Sequence, residues 1–376
     1  MDKIGIYVHF PFCVKKCNYC NFNSYANKND MQLKYFQALL SEIAMYKNEK
    51  VEVDTIFIGG GTPSVMFDGA VSTVISEIRK NFKVLESAEI TIEANPNSIT
   101  KTKIQEWKEC GVNRVSIGLQ SANANTLKLL GRTHTRQDYI QAIKDVQSAG
   151  IHNVNTDCLI GLPRQKLSDV RRMLGLVTKL DCSHISVYSL ILEEDTPLFH
   201  MVNSRQVKLP KEEKVLGMYN FANKFLNEKG FVRYEVSNFS KDGFECKHNL
   251  NTWKMHSYLG FGAGAHGFFN NKRYSNVETI EDYIRIINIS QKPIKETEKL
   301  TKTQMYEEFV MLGLRTKFGI NIKHIQEIFG IDILKKYAEK ITYFKKLGFV
   351  DIENGNLFVT DEGMPVLNKI ILELVT

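Results

Sequence analysis

Over the first 200 residues, short apolar runs rich in β-branched and aromatic side chains alternate with longer stretches in which apolar residues recur every three or four positions. The runs at 4–10, 55–60, 88–95, 114–120, 153–161 and 184–192 predict six strands, and the stretches at 32–47, 69–81, 100–110, 137–149 and 167–179 predict the helices between them. Strict strand–helix alternation requires right-handed crossovers, and so a parallel sheet with helices on its outside. Eight such units would close a TIM barrel; six leave it open along one side. The expected fold class is therefore α/β, a partial (β/α)6 TIM-like barrel over residues 1–210.

Beyond 210 the pattern changes. A helical stretch at 211–229 precedes a Gly-, His- and aromatic-rich stretch at 248–269, and residues 211–300 read as a segment flanking the barrel. From 303 onward come three helical stretches, then two short strands at 349–353 and 357–360 around Asn354-Gly355-Asn356, a hairpin signal. This predicts a small winged-helix-like domain over 301–376. Such a domain invites a DNA-reading role, and the net charge of +7 gives that idea a hearing. Residues 301–376, however, carry ten Lys/Arg against ten Asp/Glu, a net charge of zero that cannot supply the phosphate contacts on which such binding depends. No nucleic-acid partner is expected. With 43% hydrophobic and 24% charged residues the composition is that of a globular protein, not a disordered or fibrous one. No run approaches the about 18 apolar residues of a membrane span, and residues 1–9 lack the apolar core of a signal peptide, so a cytoplasmic location is expected.

Ligands of parallel α/β sheets bind at the carboxyl ends of the strands, and here those ends are chemically rich. Cys13, Cys17 and Cys20 follow the first run and Gly59-Gly60-Gly61-Thr62 the second. The third ends in Glu93 and Asn95, the fourth in Gln120, the fifth contains Asp157, the sixth Tyr188 and Ser189, and Arg132 lies in the connection after the fourth. The other four cysteines are scattered and read as small buried hydrophobes. The spacing CxxxCxxC puts three thiols on one short loop. Structural zinc takes four ligands in paired knuckles, and the chain has no second CxxC. A 4Fe-4S cubane held by three cysteines instead leaves one iron open to a small molecule.

The CxxxCxxC motif, with Tyr19 before its last cysteine, resembles the signature of the radical S-adenosylmethionine (SAM) superfamily. The resemblance implies a radical SAM barrel in which the amino and carboxylate groups of SAM chelate the open iron, and electron transfer from the cluster cleaves the sulfonium to a 5′-deoxyadenosyl radical. The segments Tyr7-Val-His-Phe-Pro-Phe-Cys13, Phe57-Ile-Gly-Gly-Gly-Thr-Pro-Ser64, Gly118-Leu-Gln-Ser121, Gly131-Arg-Thr133 and Asp157-Cys-Leu-Ile-Gly-Leu-Pro163 are similar to one branch of it. That branch holds oxygen-independent coproporphyrinogen III oxidases and HemW-type haem chaperones, and the similarity spans nearly the whole chain. It implies that Cys13, Cys17 and Cys20 ligate the 4Fe-4S cluster. It also implies that Tyr7, Tyr19, Gly60, Gly61, Thr62, Glu93, Gln120, Arg132 and Asp157 contact SAM. The glycines allow close backbone approach, and the polar side chains suit a zwitterionic amino acid and a ribose.

Within the branch, the oxidases carry a further cysteine where this chain has Phe22, and an extension ahead of the first strand. His248-Asn-Leu-Asn-Thr-Trp253 is similar to the HNxxYW signature of the haem chaperones, with Thr252 in place of tyrosine. These features favour a chaperone that carries haem as cargo to apo-haemoproteins such as respiratory enzymes. His248 is then the expected axial ligand, Cys246 a thiolate alternative, and His266 a more ambiguous imidazole. The alternative is the oxidase, which decarboxylates coproporphyrinogen III to protoporphyrinogen IX; a haem-opening radical methyltransferase, which would consume SAM, is a third reading. No catalytic residue is assigned, and the sequence leaves turnover, peripheral membrane contact and oligomeric state open.

Overall fold

The computed structural model describes residues 3–375. Its main sheet holds the six expected strands: β1 (Lys3–Phe10), β2 (Glu52–Gly60), β3 (Lys83–Ala94), β4 (Arg114–Gln120), β5 (Asn153–Ile160) and β6 (His184–Ser189). They lie in chain order and every neighbouring pair is parallel. The crossover helices are α1 (Gln32–Ala44), α2 (Ala70–Asn81), α3 (Lys101–Cys110), α4 (Arg136–Ser148) and α5 (Leu167–Lys179). Their ends follow local chemistry: the Thr100 hydroxyl accepts the Lys103 N–H at the start of α3, and Thr135 and Asp138 form a capping box on α4.

Alternation along each strand separates two environments. In β1, Ile4, Ile6, Val8 and Phe10 are fully buried in the core shared with the helices, while Gly5, Tyr7 and His9 point the other way. The same division sets Ile90 and Ile92 against Glu89, Thr91 and Glu93 in β3, and Val115, Ile117 and Leu119 against Arg114, Ser116, Gly118 and Gln120 in β4. On the helix side, Val170, Met173, Leu174 and Val177 of α5 bury one stripe at i, i+3, i+4 and i+7. The outer layer is thus an apolar joint between sheet and helices, and the inner face of the sheet is polar.

The sheet continues beyond the six units. β7 (Val232–Arg233) and β8 (Asn238–Ser240) extend it past β6, and on the other edge β9 (Tyr258–Phe261) lies parallel to β1. β10 (His266–Phe269), β11 (Lys272–Asn276) and β12 (Ile294–Lys299) follow antiparallel. The stretch expected only to flank the barrel therefore supplies a seventh parallel strand. Four residues long and followed by Gly262 and Gly264, β9 carries too little β signal to be read from sequence. Together with α6 (Glu212–Asn227), α7 (Lys247–Trp253) and α8 (Ile280–Asn288), this region joins the same apolar core through Met218, Ala222, Leu226, Phe261, Ile280, Tyr283 and Ile287.

Residues from 302 on form a second core that includes Val310, Ile325, Phe344, Leu357 and Ile370. Here α9 (Lys302–Gly313), α10 (Ile322–Phe329), α11 (Ile333–Lys336) and α12 (Ala338–Lys346) precede a hairpin of β14 (Val350–Glu353) and β15 (Asn356–Val359), which a two-residue strand β13 (Ile320–Asn321) joins. Asn354 (φ 51°) and Gly355 (φ 77°) make the left-handed turn their sequence announces. A last helix, α13 (Leu367–Val375), adds Leu367, Ile370, Ile371 and Leu374 to this core.

Candidate functional site

β1 ends at Phe10, and a two-residue parallel bridge of Phe12–Cys13 with Tyr25–Ala26 closes the loop bearing Cys13, Cys17 and Cys20. Asn18 pins the middle of this loop. Its N–H donates to the Leu130 carbonyl at 2.9 Å, its Nδ2 to the Leu129 carbonyl at 2.8 Å, and its own carbonyl accepts from the Leu198 N–H at 2.7 Å. All three thiols are free and half-buried. Burial pushes the thiols of Cys13 and Cys20 up, and the neighbouring cysteines add to that rise. The Cys13 Sγ lies 3.5 Å from the Thr62 Oγ1, and the Arg132 Nη1 lies 3.6 Å from the Cys17 Sγ. Among the described residues no three His, Cys, Asp or Glu groups converge closely enough to hold a single metal ion. Three thiols on one loop are one short of the four protein ligands of a structural zinc site and match the three that hold a cubane with one iron left open.

The thiols open onto a chamber of about 480 Å³ at the carboxyl ends of the strands. Tyr19, Gly60, Gly61, Thr62, Glu93, Gln120, Arg132 and Asp157 all line it, so the fold brings eight of the nine expected SAM contacts together with the cysteines. Arg132 is braced by Nη2, which donates to the Asn95 Oδ1 at 2.5 Å and to the Gly118 carbonyl at 2.9 Å. Asn95 in turn donates to the Thr62 hydroxyl at 3.1 Å. Gln120 ends β4 in the left-handed region (φ 62°) and accepts the Tyr188 hydroxyl at 3.1 Å. Glu93 accepts the Gly60 N–H at 3.2 Å. Burial and the nearby Asp157 push its carboxyl up to about 7. Burial also raises Asp157, against the hydrogen bonds from Asn155 and Ser186 and the charges of Arg114 and Arg132. One chamber is therefore lined by two carboxyl groups, a guanidinium and three thiols.

The ninth residue, Tyr7, lines a neighbouring chamber of about 730 Å³ together with His9, Phe57, His248, Tyr258 and His266. The two chambers share Lys16, Asn21, Phe22, Ser24, Gly60 and Glu93. The Tyr7 hydroxyl and His9 Nδ1 share a hydrogen bond of 2.9 Å, and the second ring nitrogen of His9 bonds to the Asn23 carbonyl at 2.7 Å. His9 thus has no free ring nitrogen. His248, at the start of α7, is only 8% exposed; its Nδ1 bonds to the Thr55 hydroxyl at 2.9 Å and its ring packs on Phe57 at 5.2 Å. Burial, helped by the charge of Arg114, holds it down at about 4, so the imidazole is neutral at physiological pH. The alternative ligand Cys246 is walled off: fully buried, outside both chambers, with its thiol turned to Glu89 at 3.5 Å and pushed up to about 12 by burial.

Strand ends alone do not reveal Thr55, Glu89 and Arg114, which lie deeper on the inner face. Their signal is the polar residue at alternate positions in otherwise apolar strands, as in Glu89-Ile-Thr-Ile-Glu93 and Arg114-Val-Ser-Ile-Gly118.

Comparison with known proteins matches residues 7–177 to the Radical SAM superfamily and residues 300–366 to the HemN C-terminal domain. The chain is 32% identical to the Heme chaperone HemW of Bacillus subtilis (strain 168) over 97% of both chains. It is 37% identical to that of Escherichia coli (strain K12) over 71% of this chain and 70% of the relative. The mitochondrial Radical S-adenosyl methionine domain-containing protein 1 of Danio rerio is 32% identical over 98% of this chain and 86% of its own length. Among solved structures, the coproporphyrinogen III oxidase HemN from Escherichia coli superposes with a TM-score of 0.86 over 100% of this chain and 90% of its own, at 22% identity, a likeness of fold. By fold, cysteine loop and full-length similarity, the chain belongs to the HemW family of the radical SAM superfamily.

Proposed function

We propose that the chain is a haem chaperone: Cys13, Cys17 and Cys20 hold a 4Fe-4S cluster, the adjoining chamber takes SAM, and His248 ligates haem that is passed to apo-haemoproteins in the cytoplasm. The family supports the cluster and SAM, and the names of the full-length relatives support haem. When bound, the cluster and SAM supply reductive cleavage of the sulfonium. The chain's own residues bind and orient. Glu93 and Asp157 offer negative charge to the sulfonium and ammonium of SAM, Arg132 offers a donor to its carboxylate, and Gly60, Gly61 and Thr62 let the backbone come close. Tyr19 and Gln120 complete this wall. Tyr7 belongs to the wall of the second chamber, against the tetrapyrrole.

The observation that carries the haem reading is His248. It is a buried, neutral imidazole with one nitrogen bonded to Thr55, lining a chamber that shares wall residues with that of the thiols. Neutral imidazole is the form that binds haem iron. The test separates chaperone from oxidase. Cluster-reconstituted protein is incubated anaerobically with coproporphyrinogen III, SAM and a strong reductant, and tetrapyrrole masses are read with 5′-deoxyadenosine. The chaperone reading expects unchanged tetrapyrrole, and loss of two carboxyl groups would refute it. No helix among the described residues is long and apolar enough to cross a membrane.

A further inference from the structure

The inner face of the barrel beneath the second chamber is built around the helix that carries His248. Glu89, on β3 and only 5% exposed, turns its carboxylate to the first turn of α7. It accepts the Lys247 N–H at 3.1 Å, the His248 N–H at 3.1 Å and the Cys246 thiol at 3.5 Å. A carboxylate that takes the free N–H groups of a helix start fixes where that helix begins and favours its dipole. Charge balance comes from Arg114 on β4, a fully buried guanidinium whose Nε has no hydrogen-bond partner among the described residues and whose charge acts on Glu89, Cys246 and His248. From the opposite side, Thr55 on β2 sets its hydroxyl 2.9 Å from Nδ1, where it can accept the Nδ1–H and leave the Nε2 lone pair free. β1 makes room, because a Cβ at Gly5 would lie 2.9 Å from the Thr55 Oγ1 and 3.2 Å from the His248 Cε1. Backbone, ring nitrogen and ring edge of one histidine are thus each fixed by a different strand. The other ring nitrogen, Nε2, has no hydrogen-bond partner among the described residues and is left for the chamber.

We propose that Glu89 and Thr55 are positioning residues for haem, which set the backbone and the tautomer of His248 so that Nε2 faces the chamber. This rests on the haem reading above and deepens it. In metal sites, loss of a partner that orients a ligating histidine typically costs about 10- to 100-fold in affinity. A merely structural role for Glu89 and Thr55 would alter melting and leave haem affinity and the His248 tautomer untouched, which makes affinity and tautomer the deciding readouts.

The experiment titrates the anaerobically reconstituted full chain with haemin and follows affinity and the Soret band in the parent and in Thr55→Val, Glu89→Gln and His248→Ala. In the haem-free chain, the ring 15N shifts report the His248 tautomer. The inference expects His248→Ala to change the Soret band, and Thr55→Val to keep its melting curve, lose the single tautomer and bind haem about 10- to 100-fold more weakly. Glu89→Gln is expected to weaken haem in the same range, with Glu89→Asp recovering part of it. Should Glu89→Gln not fold because Arg114 is left uncompensated, Thr55→Val carries the test alone. Parental affinity and an unchanged tautomer in Thr55→Val, beside a His248→Ala that does change the spectrum, would overturn the positioning role. An unchanged spectrum in His248→Ala would instead refute the ligand assignment, and the positioning role with it.

Discussion

Glu93 gives the SAM chamber a pH dependence whose size can be worked out in advance. Its carboxyl, ordinarily at 4.5, is pushed up to about 7 by burial and by Asp157. A ligand bearing sulfonium and ammonium charges selects the ionised form, so affinity should rise with pH through 7. With a pKa of about 7, the group is about nine-tenths ionised at pH 8 and about one-tenth at pH 6, which makes SAM about tenfold weaker at pH 6. Glu93→Gln removes the titrating group. It should bind weakly at pH 8, near the affinity of the parent at pH 6 or below it, and lose this part of the slope. Equilibrium binding of SAM to the reconstituted protein between pH 6 and 8 measures it. Titration of SAM itself is common to both proteins, so the readout is the difference in slope. Identical slopes in parent and variant would refute the reasoning.

Glu42 offers a stability counterpart. It is fully buried in α1, accepts from the Gly262 N–H, Asn276 and Tyr283, and is raised from 4.5 to about 7 by burial. The folded state therefore binds the proton more tightly than the unfolded one, so stability is greatest below pH 4.5 for this group and falls as pH rises towards 7, by about 3 kcal/mol in all. Urea melts should show that fall flattened in Glu42→Gln; parallel pH profiles would contradict it. Gly5→Ala inserts a methyl between Thr55 and His248 and should cost about 1–3 kcal/mol by overpacking while displacing the ring, measurable as a lower melting temperature and a changed haem band. Cys17→Ser removes one of three thiolates and should abolish cluster assembly; full iron and sulfide content in the variant would reassign the site.

The barrel was legible because each of its strands follows one rule that a single sequence displays, apolar residues towards the helices and a change of character at the carboxyl end. Cys13, Glu93, Gln120 and Asp157 all stand at or near the carboxyl end of a strand, and that is where the chamber is. Tyr7 marks the limit of this reading. It sits six residues before Cys13, yet strand alternation and its place in the middle of β1 turn its ring into the second chamber. The environment of His248 was hidden for a different reason. Glu89, Thr55 and Gly5 reach it from three strands, at sequence separations between 159 and 243 residues, and no local pattern encodes contacts of that kind. The strand β9 was missed because its pairing with β1, not its own propensity, makes it a strand. The helix α13 was missed as well, although Leu367, Ile370, Ile371 and Leu374 form an i, i+3, i+4, i+7 stripe.

Transfer of haem is the most direct test of the account. The cluster-reconstituted chain, loaded with haem, is mixed anaerobically with a haem-free b-type cytochrome, and the spectrum of the acceptor is followed against free haemin and against His248→Ala. The account expects the parent to fill the acceptor, with its tetrapyrrole unchanged in mass, and His248→Ala to fill it poorly. Haem that stays on the parent, or an acceptor filled equally well by His248→Ala, would contradict it.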